Sequence, residues 1–306
     1  MYFCLRIRKF IRIVKGFIDY TINVNGRLVD LSEPQVMGIL NVTPDSFYAG
    51  SRRQTDYEIA SRADQIVAEG GTIIDIGAFS TRPGAAQVTA DEEMKRMRHA
   101  LEIVRGVQPD AVLSIDTFRP EVAKMSVEEF GAGIINDVSE GNVNGAFGGA
   151  DASNPEGNIL KDDEEYPQMF RMVAQLGVAY ILMSTKPDIK TMLMAFAKEV
   201  QQLRDLGAKD IILDPGFGFG KTLEQNYQLL ADLGKLRVME LPLLVGVSRK
   251  SMIYRLFDAT PEEALNGTTV VNVISMLQGG ASILRVHDVK PCVEAVGIVK
   301  EMMKYV

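Results

Sequence analysis

The chain has 306 residues, 46% hydrophobic and 24% charged, the mix of a soluble globular protein rather than of a disordered chain, a collagen or a disulfide scaffold. Its 33 Lys and Arg against 40 Asp and Glu leave a net charge of −7, which argues against the basic stripe of a nucleic-acid-binding surface; no uncharged apolar run reaches the roughly 18 residues that would span a membrane. Two cysteines (Cys4 and Cys292) and two histidines (His99 and His287) exclude a multi-histidine zinc site and suit a reducing, cytoplasmic setting.

At about 150 residues per domain the length allows two domains, but one α/β barrel with extensions can use all of it. The first 18 residues hold Arg6, Arg8, Lys9, Arg12 and Lys15 and no acid. Two readings stand: a targeting or membrane-surface segment, or a loosely attached basic extension (1–16), which a start codon placed too early would also produce. No uninterrupted apolar h-region or small-residue cleavage site follows. Next, the runs 17–24 and 27–31 flank Asn25-Gly26, the signal for a type I′ β-hairpin. This hairpin is expected to plug the bottom of a barrel, in a single domain covering 17–306.

Beyond residue 35 one unit repeats. Eight β-rich runs, 36–41, 72–77, 111–116, 133–137, 178–183, 210–214, 242–247 and 282–286, start at intervals of roughly 20–45 residues, as βα units do. Helical patterns lie between them at 56–69, 90–106, 120–130, 167–176, 191–206, 223–233 and 261–278, and a last one covers 291–304. The runs are mostly apolar rather than alternating, as in strands buried on both faces. Eight units close most simply into an α/β (β/α)8 TIM barrel, with a doubly wound open sheet as the alternative.

In such a barrel the active site lies where the strands end. Those ends carry Asn41, Asp116, Asn136-Asp137, Asp214, Ser248-Arg249-Lys250 and Arg285-Val286-His287. Any one of these could cap a turn or a helix. Together they would form a costly buried polar set unless a polar ligand pairs with them. Asp116, Asn136 and Asp214 suit the donors of an amino-substituted heterocycle, whereas Arg82, Lys250, Arg285 and His287 suit an anion such as diphosphate. Gly220-Lys221-Thr222 looks like the end of a P-loop, but Pro215 stands where the first glycine is required. Residues 215–220 read instead as a loop whose glycines let backbone approach a ligand, with Lys221 as its anchor.

The run Met37-Gly-Ile-Leu-Asn41-Val-Thr43-Pro-Asp45-Ser-Phe47 resembles the first signature of dihydropteroate synthases. Ile74-Asp75-Ile-Gly77-Ala-Phe-Ser80-Thr81-Arg82-Pro83-Gly84 resembles the second. Ser114-Ile-Asp116-Thr, Ile135-Asn136-Asp137-Val-Ser139, Leu213-Asp214-Pro-Gly-Phe-Gly-Phe219-Gly-Lys221, Val247-Ser-Arg-Lys250-Ser251 and Leu284-Arg285-Val-His287-Asp288 follow in family order, over about residues 36–290. The resemblance implies condensation of 6-hydroxymethyl-7,8-dihydropterin diphosphate with 4-aminobenzoate, assisted by Mg²⁺, in a homodimer. It implies that Asp116, Asn136, Asp214 and Lys250 hold the pterin with Met183 beside it, that Asn41 lies near the Mg²⁺, and that Arg285 and His287 hold the diphosphate. Asp116, Asp214, Lys250, Arg285 and His287 would form the catalytic set. Thr43, Asp45 and Phe47 would lie on one mobile loop and Thr81, Arg82 and Pro83 on a second, with Phe219 and Ser251 placing the aminobenzoate.

Three departures stand out. Ala78 and Phe79 replace a glycine and a glutamate of the second signature, Ser184 replaces a histidine after strand five, and an apparent insertion covers about 142–166. The insertion reads either as a solvated surface loop or as a substrate lid. Two other functions fit parts of the pattern. One is a pterin-dependent methyltransferase, which needs neither the Ser-Thr-Arg-Pro loop nor the anion site. The other is a pterin-binding protein that has lost turnover.

Overall fold

The computed structural model describes residues 19–42, 52–79, 88–141 and 166–306. The basic extension, Thr43, Asp45, Phe47, Thr81, Arg82, Pro83 and nearly all of the insertion lie outside the described residues.

The chain opens with an antiparallel hairpin, β1 (Thr21–Val24) and β2 (Arg27–Asp30), in the register Val24↔Arg27. Asn25 and Gly26 have φ of 52° and 79°, the two left-handed residues of a type I′ turn. Eight parallel strands follow: β3 (Gln35–Asn41), β4 (Ile73–Gly77), β5 (Val112–Asp116), β6 (Ile134–Asp137), β7 (Ala179–Met183), β8 (Ile211–Asp214), β9 (Leu244–Val245) and β10 (Ile283–Val286). They pair in the order β8-β7-β6-β5-β4-β3-β10-β9. A parallel bridge between Leu213 and Leu243 joins the two ends, with the Leu213 amide donating to the Pro242 carbonyl at 2.9 Å. The expected closed barrel forms.

The longer helices lie outside it: α1 (Arg52–Ala68), α2 (Ala90–Val107), α3 (Pro120–Phe130), α4 (Gln168–Leu176), α5 (Ile189–Asp205), α6 (Leu223–Asp232), the short α7 (Ser251–Tyr254), α8 (Leu265–Ile274) and α9 (Val289–Met303). Their ends follow local chemistry. The Thr89 hydroxyl caps α2 by accepting from the Glu92 amide, and Pro120 opens α3, which closes on Gly131 in the left-handed conformation. The helix expected from 291 starts at Val289, because Pro291 falls in the first turn, where its missing N–H has no intrahelical acceptor to serve.

Two other expectations change. The strand expected over 242–247 is a regular strand only at Leu244–Val245, since Pro242 has no amide to donate and the chain after Val247 turns sharply through Arg249 at φ 56°. The helix expected over 261–278 divides into a 3-10 turn (Pro261–Ala264), α8 and one wide π turn (Ser275–Gly279), which seats Gly279 against Leu233.

Period-two alternation divides the strands between two environments. Val36, Leu40, Ile74, Ile76, Leu113, Ile115, Ile135, Leu182 and Leu213 face outward under the helices. Met37, Ile73, Ile134, Ile181, Ile212, Leu244 and Ile283 face inward in one buried cluster with Ile22, Val24 and Leu31. The hairpin therefore plugs the N-terminal end of the barrel, as its sequence predicts. It approaches so closely that a side chain on Gly133 would strike Val24. Above this apolar floor the inner face turns polar, and the site begins there.

Ile22 is fully buried in the plug. Ile22→Ala is expected to lower unfolding free energy by about 2–5 kcal/mol through lost burial and a residual cavity, read as a lower urea midpoint with an unchanged denaturant slope.

Candidate active site

The same alternation that points Ile73 inward points Asp75 and Gly77 inward. It likewise aims Ser114 and Asp116 of β5, Asn136 of β6, Met183 of β7, Asp214 of β8 and Arg285 of β10 into the barrel. The ladder sets their neighbours: Gly77 pairs with Asn41 and Asp116, Asp116 with Asn136, and Met183 with Asp214.

Asp75 and Arg285 organise the set. Arg285 Nε donates to Asp75 Oδ2 at 2.6 Å and its Nη2 to Asp116 Oδ2 at 2.6 Å. Asp75 has no solvent exposure and also accepts from Ser114 Oγ at 2.6 Å and from Asn136 Nδ2 at 3.3 Å. Burial alone would lower the pKa of the Arg285 guanidinium, but Asp75 and Asp116 outweigh it and hold the group more firmly charged than usual. Asp116 is pushed up to about 7 by burial, with Arg285 pulling down and Asp75 pushing up. Since a carboxylate only accepts, Asn136 must turn its amide nitrogen toward Asp75. Its Oδ1 is then buried with no hydrogen-bond partner among the described residues. Such an atom calls for a donor from a ligand.

Asp214 and Lys250 form the opposite wall. Asp214 Oδ1 accepts from the Gly216 amide at 2.8 Å; burial raises its pKa, against the pull of Lys250. Lys250 donates to the Phe217 carbonyl, and its Nζ lies 4.4 Å from the Phe219 ring centroid, a cation–π contact. Burial pulls Lys250 down to about 8, with Asp214 opposing. Gly216, Gly218 and Gly220 all have positive φ, 64°, 80° and 62°, so the loop coils in a way side chains would resist. Lys221 anchors it as expected, donating to the carbonyls of Gly216 (2.9 Å), Ser184 (3.1 Å) and Phe219 (3.3 Å). The P-loop likeness dissolves: Thr222 is the N-cap of α6, in a capping box with Gln225.

His287 follows β10, where its amide donates to Ser248 Oγ and its Nδ1 meets the same oxygen, both at 3.1 Å. Asn41 is exposed at the barrel mouth, and Ser251 is the first residue of α7. The structure thus places Asp116, Asn136, Met183, Asp214 and Arg285 on the inner face of the barrel, with Phe219 and Lys250 meeting on the loops after β8 and β9, and Asn41, Ser251 and His287 at the same end. Asp137 faces away and is fully occupied by Ser139, Gly141 and Tyr180.

Sequence reasoning placed Asp75 and Ser248 in its motifs without giving either a role, and it did not reach Glu140. Asp75 carried a signal: one charge inside the apolar run Ile73-Ile74-Asp75-Ile76, in phase with Ile73. Glu140 explains how Ser184 is accommodated. It sits at φ 58° and accepts from Ser184 Oγ (3.3 Å), the Thr185 amide (2.6 Å) and Lys186 Nζ (2.9 Å), tying the ends of β6 and β7 together. Phe79 packs edge-on against Phe118 at 5.1 Å, and the Arg119 guanidinium lies over it at 5.5 Å. Among the described residues no cluster of three or more His, Cys, Asp or Glu could hold a metal.

Two outcomes are expected. Asp75→Asn removes the buried partner of Arg285 and should lower stability by about 3–5 kcal/mol, measured by denaturant unfolding. Glu199 is pushed up to about 7 by burial, and its Oε2 is buried without a partner among the described residues. Its proton favours the fold at low pH, and that contribution disappears as pH rises through about 7. Glu199→Gln should therefore unfold at a higher temperature than the parent at about pH 8.5 and almost together with it at about pH 5.

This geometry has known counterparts. The Pterin binding enzyme family matches residues 37–287. Dihydropteroate synthase of Escherichia coli is 39% identical over 290 residues, covering 90% of this chain and 94% of that protein; the one from Streptococcus pyogenes is 32% identical over 287 residues, covering 91% and 99%. Among solved structures, Xanthomonas albilineans dihydropteroate synthase with 4-aminobenzoic acid superposes with a TM-score of 0.78 at 32% identity, covering 93% of this chain and 98% of that one. Yersinia pestis dihydropteroate synthase with a pterine-sulfa conjugate gives 0.75 at 33%, covering 94% and 100%. With its eight-stranded barrel and its inward Asp, Asn, Lys and Arg, the chain belongs to the pterin-binding enzymes, within the dihydropteroate synthases.

Proposed function

We infer that this chain joins 6-hydroxymethyl-7,8-dihydropterin diphosphate to 4-aminobenzoate and releases 7,8-dihydropteroate and diphosphate, as a transferase of folate synthesis. The observation that carries the reading is the Asn136 Oδ1, buried without a partner among the described residues while its amide nitrogen donates to Asp75; Asp116 and Asp214 end two other strands on the same inner face. Acceptors converging there suit the amino and ring N–H groups of a pterin, and Met183 supplies an apolar surface beside them.

The C–O bond breaks and its electron pair leaves with diphosphate; the arylamine nitrogen then bonds to the pterin methylene, and the proton it sheds passes to the departing diphosphate or to water. Positive charge developing on the pterin meets Asp116 and Asp214, while Arg285 and His287 receive the departing anion. Arg285 Nη1 makes no hydrogen bond among the described residues, so the guanidinium can stay paired to its carboxylates and still meet diphosphate. Phe219 and Ser251 would place the aminobenzoate.

Mg²⁺ fits this site as a companion of the diphosphate. It keeps much of its water and needs few protein ligands, and Asn41 offers a neutral oxygen at the mouth. When bound, the ion neutralises charge on the leaving group. We further propose one barrel domain over 17–306, a cytoplasmic setting and a homodimer. Exposed Val270, Ile298 and Met302 support the last of these, and sedimentation would test it.

Purified protein given both substrates and Mg²⁺ should form dihydropteroate and diphosphate in equal amounts. Saturable pterin binding without product would instead identify a binding protein. Lys250→Ala should weaken pterin diphosphate binding roughly 10–100-fold through loss of a charged hydrogen bond, and Arg285→Ala should act mainly on diphosphate binding and departure. Because ligand donors favour the Asp116 carboxylate, pterin affinity should rise with pH through about 7. It should then fall above about 8 as Lys250 loses its proton; calorimetric titrations across pH would read both limbs.

A further inference from the structure

His287 is held by its main chain on both sides. Its amide donates to Ser248 Oγ at 3.1 Å, and its carbonyl accepts from Arg62 Nη2 of α1 at 2.5 Å. Arg62 Nε also donates to the Ile39 carbonyl at 3.2 Å, so the ends of β3 and β10 are clamped by one guanidinium. The following residue is fixed too: Asp288 pairs with Arg249 through two bonds, 2.6 and 3.0 Å. Within this rigid corner the imidazole turns Nδ1 to Ser248 Oγ.

That geometry bears on where the imidazole proton sits. Ser248 is 5% exposed. One lone pair of its oxygen takes the His287 amide, and the hydroxyl has one proton to place. Among the described residues the acceptor within reach of that proton is His287 Nδ1. A proton on Nδ1 would leave the buried hydroxyl without an acceptor, which is costly. With Nδ1 accepting, the proton of the neutral ring is on Nε2, and Nε2–H is then a donor.

We propose that Ser248 is a positioning residue that holds neutral His287 as its Nε2–H tautomer, presenting an N–H donor to a diphosphate oxygen. The functional half rests on the assignment of His287 to the anion; the tautomer itself does not. If His287 becomes protonated, the second lone pair of Ser248 Oγ can accept from Nδ1–H, so the ring keeps its orientation in either charge state.

The chain has two histidines, which makes the tautomer directly readable. Protein labelled with ¹⁵N-histidine would be examined by long-range ¹H–¹⁵N correlation at about pH 8.5, where an ordinary imidazole is neutral, with His99→Asn assigning the signals. The expected result is an unprotonated Nδ1 and a protonated Nε2 for His287. Ser248→Ala should shift both nitrogens toward the averaged values of mixed tautomers, and Ser248→Thr should restore them. In parallel, affinity for inorganic diphosphate with Mg²⁺ should fall roughly three- to tenfold in Ser248→Ala, the scale of one neutral hydrogen bond, and recover in Ser248→Thr. A proton on Nδ1 in the parent protein, or identical spectra for parent and Ser248→Ala, would overturn the proposal. Should His287→Ala leave diphosphate affinity unchanged, the anion assignment falls and the proposed use of the donor falls with it, while the spectra still decide the tautomer.

Discussion

A buried carboxylate and a guanidinium, Asp75 and Arg285, meet at 2.6 Å inside the barrel, and the polar end of the molecule is arranged around them. Neither charge is tolerable there alone. Asp75 is satisfied by Arg285, Ser114 and Asn136, and Arg285 reaches on to Asp116. The pairing sets the Asn136 amide, and that choice leaves an acceptor without a partner among the described residues. A constraint internal to the fold thus turns a buried acceptor toward the kind of ligand that carries N–H donors.

The same pairing sets the electrostatics. Burial pushes Asp116 and Asp214 up, and it pulls Lys250 down to about 8. These groups hold their charges largely by virtue of each other. The barrel therefore carries a layer of mutually dependent charges above a well-packed apolar floor. The floor is what keeps it so: Ile22, Val24 and Leu31 of the hairpin fill the lower barrel, so the polar layer cannot collapse downward. Preorganised charge of this kind stabilises developing charge without reorganising during the reaction.

The two departures within the described residues are absorbed by packing rather than by the ligand-facing set. Phe79 joins an aromatic pair capped by Arg119, whose other partners are the buried Glu93 and the Val88 carbonyl. Ser184 joins the Glu140 cluster, and its carbonyl receives Lys221. Each replacement is tied back to the scaffold by a contact with a charged side chain.

Much of this protein is determined by sequence alone. Eight apolar runs separated by helical patterns specify a parallel barrel, because strands buried on both faces and covered by helices must read that way. Asn25-Gly26 specifies its turn through local backbone sterics, and polar residues at strand ends locate the site through the barrel rule. The gathering of Asp116, Asn136, Asp214, Lys250 and Arg285 at one end of the barrel was legible for that reason. What pairs with what was decided by tertiary structure. Asp75 and Arg285 are 210 residues apart, and no local pattern links them. Ser248 and His287, 39 apart, meet only because β9 and β10 are neighbours in the closed sheet. Strand β9 shrank, and Asp137 turned outward to Tyr180, because ladder register and burial outweigh local propensity. Sequence sets which face a residue takes, through the two-residue period of a strand; only the closed barrel sets which charge it meets across the interior.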